Sequence, residues 1–135
     1  MNLMDSLMVS AAGMRVQGER LRVVAENLAN ADSVSEVPGG DPYRRKTISF
    51  KNALDKELGL ETVQINKVGL DQSDFRMKYD PGNPAADDKG YVKLPNVNGL
   101  IEMTDMREAQ RSYEANLRAI EVARTMLQRT IDLLR

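Results

Sequence analysis

A chain of 135 residues with 19 basic and 20 acidic side chains has room for one ordinary domain, and its net charge of −1 gives no overall positive field to recruit nucleic acid. It contains no Cys, His or Trp, which excludes disulfide staples, thiolate chemistry, an imidazole general base and zinc sites of the usual Cys/His kind. No stretch approaches the roughly 20 apolar residues of a membrane-spanning helix, and the apolar start, Met1 to Met14, holds Asp5 and no basic residue before Arg15, unlike the positive leading region of a secretion signal.

The first predicted element is a helix over residues 3–30, roughly 40 Å long at ~1.5 Å per residue. Leu7, Met14, Leu21 and Leu28 recur at every seventh position, and Ala11, Gly18 and Ala25 follow the first three by four residues. That spacing is a coiled-coil seam. Met4, Met8, Val9, Ala12, Val16 and Val23 lie off it, so the helix is apolar on more than one face and needs more than one neighbour. Ala11, Ala12, Gly13, Gly18, Ala25 and Ala29 admit close approach of other backbones. Gly13 and Gly18 each cost about 1 kcal/mol of helix propensity against Ala, which packing must offset. Asn30 reads as a helix cap, whereas Asn27 is open between a cap and a hydrogen bond to a neighbouring loop.

The middle, residues 32–103, is thin in large apolar side chains. A turn-rich loop, Val37-Pro-Gly-Gly-Asp-Pro-Tyr, leads to Arg44, Arg45 and Lys46 and to an alternating stretch, Thr47-Ile-Ser-Phe, with the period of a strand. The basic triplet fits either a charged strand edge or a grip on an acidic protein partner. Residues 61–68 and 73–79 read as two strands with a turn at 69–72 between them. A turn-rich loop over 80–90 and a short strand at 91–94 follow.

The last predicted element is a helix over residues 104–134, with Thr104 as its N-cap and Asn98 as the alternative. Its seam is Met106, Tyr113, Ile120, Leu127 and Leu134, with Ala109, Asn116, Ala123 and Thr130 three residues after the first four; Leu117 and Ile131 widen it. Asn116 either fixes register from within the seam or turns to its edge while Leu117 takes its place. The fold expected is α+β: N- and C-terminal helices, residues 1–31 and 104–135, paired as a coiled-coil domain, with a small β-rich middle segment over 32–103.

No chemistry-bearing constellation emerges. Asp80, Asp87 and Asp88 invite a calcium loop, but counting from Asp80, Gly82 and Pro84 occupy two ligand positions and Tyr91 stands where the closing Glu belongs. There is no glycine-rich phosphate loop and no nucleophile elbow. Catalytic, cofactor and metal residues are therefore expected to be none.

Several segments resemble the bacterial flagellar rod and hook axial protein family. Ser10-Ala-Ala-Gly-Met-Arg and Asn27-Leu-Ala-Asn-Ala are similar to its shared N-terminal signature, with Ser33 standing near where the family usually has Thr. Pro42-Tyr-Arg-Arg-Lys is similar to the segment after the family's N-terminal helix, and the stretch from Asp80 to Asn98 and Glu102-Met-Thr-Asp-Met-Arg-Glu-Ala-Gln-Arg-Ser-Tyr-Glu-Ala-Asn resemble the proximal-rod type within that family. The resemblance covers essentially the whole chain. It implies a structural subunit of the basal-body rod, exported by the flagellar type III apparatus without a cleaved signal and stacked helically in the periplasm around a channel. The implied partners are copies of itself, the rod proteins FlgB, FlgF and FlgG, and the adaptor FliE, with no cofactor, nucleic acid or membrane insertion. The readings beside it are a different axial type and a cytoplasmic coiled-coil adaptor or regulator. The assembly residues expected are Leu7, Met14, Leu21, Leu28, Met106, Tyr113, Asn116, Leu117, Ile120, Leu127, Ile131 and Leu134 in the seam, with further subunit contacts from Met4, Met8, Val16, Val23, Arg44 and Arg45.

Overall fold

The computed structural model describes residues 2–56 and 59–134. Helix α1 covers Leu3–Ala29 and helix α2 covers Gly99–Leu133; between them lie strands β1 (Lys46–Asp55), β2 (Leu60–Leu70), β3 (Arg76–Tyr79) and β4 (Tyr91–Leu94). The α+β expectation holds. The outermost residues of the two expected helical ranges, Met1 and Arg135, lie outside the described residues.

Each helix starts where side chains satisfy its orphan N–H groups. At α1, Asp5 N–H donates to Asn2 Oδ1 and Asn2 N–H donates to Asp5 Oδ2, both at 2.8 Å, a reciprocal capping box. At α2, Asn98 Oδ1 accepts from Leu100 N–H at 3.1 Å. Thr104, expected as the N-cap, instead sits inside the helix and donates its hydroxyl to Leu100 O. The Asn side chain takes the capping role because it precedes Gly99 and the first apolar residues of the helix.

Strands β1 and β2 are hydrogen-bonded neighbours, as are β3 and β4. The first pair is joined over residues 56–59, where Gly59 adopts φ 65°, a conformation an L side chain rarely takes. So short a connection makes the pair antiparallel. The turn expected at 69–72 is absent: β2 runs on to Leu70, and residues 71–75 lead to the other sheet. There Arg76 stands opposite Leu94 and Tyr79 opposite Tyr91. Gly90, at φ 82°, lies where a Cβ would stand 3.0 Å from the Tyr79 ring.

The chain forms two compact units. The first comprises Met1–Leu21, Ile48–Lys67 and Arg107–Arg135. Within it α1 and α2 run antiparallel, since Arg20 meets Glu108 at 3.2 Å and a Cβ on Gly13 would lie 2.8 Å from Asn116 Nδ2. Its buried residues are small: Ser10, Val16, Thr62, Ala109 and Ala123. An open groove of about 350 Å³ runs beside α1, lined by Met8, Ala12, Arg15, Val16, Val63 and Ile65. The second unit comprises Arg22–Thr47 and Val68–Met106. Val23, Val24, Val92 and Val97 form its apolar centre, with Asn27 and Glu102 buried in the same unit.

Candidate assembly surface

The α2 seam in the first unit reads cleanly. Ala109 and Ala123 are buried, and Tyr113, Asn116, Ile120 and Leu127 are half-buried at the positions between and beside them. On α1, Leu7, Met14 and Leu21 are half-buried. Asn116 does lie in the seam, where it faces Gly13 and donates Nδ2 to Ser112 O at 3.0 Å. Its amide thereby satisfies a carbonyl of its own helix and occupies the space left by the missing Gly13 side chain.

The other expected assembly residues fall into two sets. Leu117 (39 %), Ile131 (50 %) and Leu134 (85 %) are exposed in the single chain, as is Met4 (51 %), and Met8 is half-buried beside the groove. In contrast, Val16 and Val23 are buried, so their surface is already covered within the chain. In the second unit Leu28 and Met106 are half-buried.

One consequence is quantitative. Among the described residues no Leu, Ile, Met or Phe is buried, while nineteen large hydrophobic side chains are exposed. Soluble monomers do expose scattered apolar residues, but a domain normally hides its largest aliphatic ones. Full burial of one such side chain contributes about 1.5–3 kcal/mol. Here that contribution is left unrealised along α2 and on the strands, while on α1 Met4 is exposed and the other large apolar side chains are half-buried or buried.

The second unit holds its segments together with polar groups instead. Asn27 makes four hydrogen bonds. Its Nδ2 donates to Lys46 O at 2.9 Å and to Glu102 Oε2 at 3.1 Å. Its Oδ1 accepts from the Tyr43 hydroxyl at 2.8 Å and from Lys46 N–H at 2.9 Å. Glu102, with no exposed surface, receives Arg45 Nε on its other oxygen at 2.5 Å. Arg45 also lies 3.5 Å from Asp71 and 3.8 Å from Asp105. The Lys46 ammonium pairs with Glu26. A buried carboxylate is tolerated only when paired and hydrogen-bonded, and Glu102 has both conditions met. Its position in the first turn of α2 adds the favourable end of the helix dipole.

Arg44 and Arg45, expected at subunit contacts, thus direct their donors inside this unit. Arg44 donates to the carbonyls of Asp71 and Ser73 and sits 4.2 Å above the Phe75 ring. Asn96 takes Arg45 N–H on its Oδ1 at 2.8 Å and donates to Asp71 O at 3.0 Å. These bonds hold residues 44–45, 71–73 and 96 together within the second unit.

The electrostatics follow. The Tyr43 hydroxyl is pushed up to about 12, by burial first and then by the negative charges of Glu26 and Glu102. For Arg45, burial works against the charge, but the hydrogen bond and charge of Glu102, with Asp71 and Asp105, more than offset it and raise its pKa. The Asp71 carboxyl lies below its ordinary value because Ser73 hydrogen-bonds to it, with Arg45 adding to the effect. Among the described residues no group of His, Cys, Asp and Glu is placed to hold a metal ion.

Sequence reasoning missed Glu102, Tyr43 and Asn96. The signals were thin: a Glu near a helix start usually serves the dipole from the surface, and nothing local distinguishes one that is buried. Asn27 was the legible member, a polar residue amid Ala and Leu in the last turns of α1.

Comparison with known proteins gives a consistent result. Residues 88–133 match the family model described as "Flagellar basal body rod FlgEFG protein C-terminal". The flagellar basal-body rod protein FlgC of Agrobacterium fabrum is 56 % identical over 127 residues, spanning 94 % of this chain and 91 % of that protein. Proteins of the same description from Escherichia coli O6:H1 and Aquifex aeolicus are each 38 % identical over 133 residues, covering 98 % of this chain and 98 % and 97 % of theirs.

Proposed function

Because the chain belongs to the FlgC family of flagellar basal-body rod proteins and is a structural subunit of that rod, we propose that it builds the proximal rod by stacking helically with copies of itself and with other rod proteins. The product is a hollow shaft that carries torque. The supporting observation is the burial pattern: none of the described Leu, Ile, Met or Phe residues is buried in the single chain. Burial between subunits supplies what the lone chain lacks, and offsets the entropy of ordering two long helices.

In this reading residues 1–31 and 104–135 form the assembly part and 32–103 the β-rich middle. The seam from Leu7 to Leu28 and from Met106 to Leu134, together with Met4 and Met8, meets neighbouring subunits. The neighbours are FlgB, FlgF, FlgG and FliE, reached in the periplasm after export through the flagellar type III apparatus. No catalytic step is involved; the work is mechanical.

Helices whose apolar faces stay wet are marginal alone. The isolated chain at low concentration therefore shows less helix by circular dichroism than α1 and α2 together contain, and gains it on assembly. Full helicity in the dilute monomer contradicts the reading, as does absence of a tagged copy from purified basal bodies.

A further inference from the structure

The outward side of α1 in the first unit carries Met4, Ala11, Arg15 and Gly18, a stripe at heptad and four-residue spacing. Ala11 and Arg15 are exposed, as is Met4, and a Cβ built on Gly18 meets no atom within 4 Å. A glycine inside a helix costs stability and ordinarily has a packing reason. Gly13 has one, in Asn116; Gly18 has none within its own chain. Its Cβ position opens on free space. On α2, Leu117 is a knob of the opposite kind, projecting beside the seam with no hole to enter, and Ile131 repeats it two heptads later.

We propose that this face of α1 receives α2 of a second copy, antiparallel, with Leu117 seated over Gly18. This rests on the rod-subunit reading above. Stepping seven residues back along α1 and seven forward along α2 brings Ala11 beside Arg124, and one further step brings Met4 against Ile131. The charges then fall in opposite order: Arg15 meets Glu121, and Glu19 meets Arg118. A parallel placement puts Glu19 and Arg118 on opposite flanks. Ala11 and Arg15 also line the groove beside Met8 and Ala12, so the seated helix runs along its edge. Small residues facing large ones with matched charges at the rim are the coiled-coil means of setting partner and direction. Both halves are present in one sequence, so the fitting partner is another copy of this chain. The contact joins two different faces, which repeated from copy to copy gives a ring where the rotation closes and a helical array where it does not.

The absence of cysteine makes the test direct. Two differently tagged copies are expressed together, one Gly18→Cys and the other Leu117→Cys, and basal bodies are purified and oxidised. A mixed disulfide dimer is expected, and likewise for Met4→Cys with Ile131→Cys, the pair that reports direction. Both copies present in the basal body without a mixed dimer overturns the register, while the rod-subunit reading stands. Both copies absent, with the unaltered chain also absent, overturns that reading itself. In a second measurement Arg15→Glu lowers incorporation at least tenfold and Glu121→Arg in the same chain restores it. Normal incorporation of Arg15→Glu alone, or no rescue, overturns the proposal.

Discussion

Asn27 and Glu102 stand 75 positions apart in the chain and meet at 3.1 Å, with 1 % and 0 % of their surfaces exposed. One lies near the end of α1, the other in the first turn of α2. Through the carboxamide of Asn27 the same contact reaches Lys46 and Tyr43, and through the carboxylate of Glu102 it reaches Arg45. Removing either partner leaves buried polar groups without bonds. Asn27→Ala is therefore expected to destabilise the second unit by about 1–3 kcal/mol for each group left unpaired, read as a lower urea midpoint in chemical denaturation.

Arg45→Ala should be costlier still. It leaves a buried carboxylate uncompensated, a loss of about 3–5 kcal/mol. Adding Glu102→Gln removes the charge that needs compensation, so the double variant recovers part of the loss. A double-mutant cycle checks this; additive effects contradict the coupling.

Tyr43 ties the same cluster to pH. Its hydroxyl titrates near 12 in the folded chain, against an ordinary 10.0. A raised value means that the unfolded chain loses this proton first. The contribution to stability is therefore complete below about pH 10 and is lost as pH rises from there through about 12. Ultraviolet titration of the tyrosines should show one late phase, absent in Tyr43→Phe.

The two helix glycines of α1 predict opposite responses. Gly18→Ala gains about 1 kcal/mol of helix propensity and displaces nothing in its own chain. Gly13→Ala gains the same propensity but forces Asn116 aside, and so keeps little or none of it. Thermal unfolding of the two variants, followed by circular dichroism, separates them.

Proline at Leu21 or Leu127 removes a backbone hydrogen bond and clashes with the preceding turn, at about 3 kcal/mol or more. Either variant should be expressed yet give no rod. Swimming assays and electron microscopy of basal bodies check this; normal motility contradicts the packing of the helices.

The helices were legible because heptad spacing is a local property of the chain. Leu7 to Leu21 and Met106 to Leu127 announce their shared face without knowledge of the fold, and α1 ends within a residue of its expected boundary. The start of α2 was harder, since Thr104 and Asn98 are both competent caps and only the chain's path chooses between them. Strand pairing was not legible for a related reason. Alternation marks each strand but carries no information about its partner, and residues 61–68 and 73–79, expected as two strands around a turn at 69–72, belong to different sheets. Glu102 and Asn96 were illegible because their roles exist only once distant segments meet.

The cluster around Asn27 has one more implication. Every side chain in it that bonds is hydrophilic or nearly so, and each piece is at ease in water when the chain is unravelled. A greasy core of equal strength would leave sticky surface bare whenever the chain opened. Here the polar parts attract little until four remote stretches of backbone arrive together, and each bond of the cluster needs its partner from another stretch.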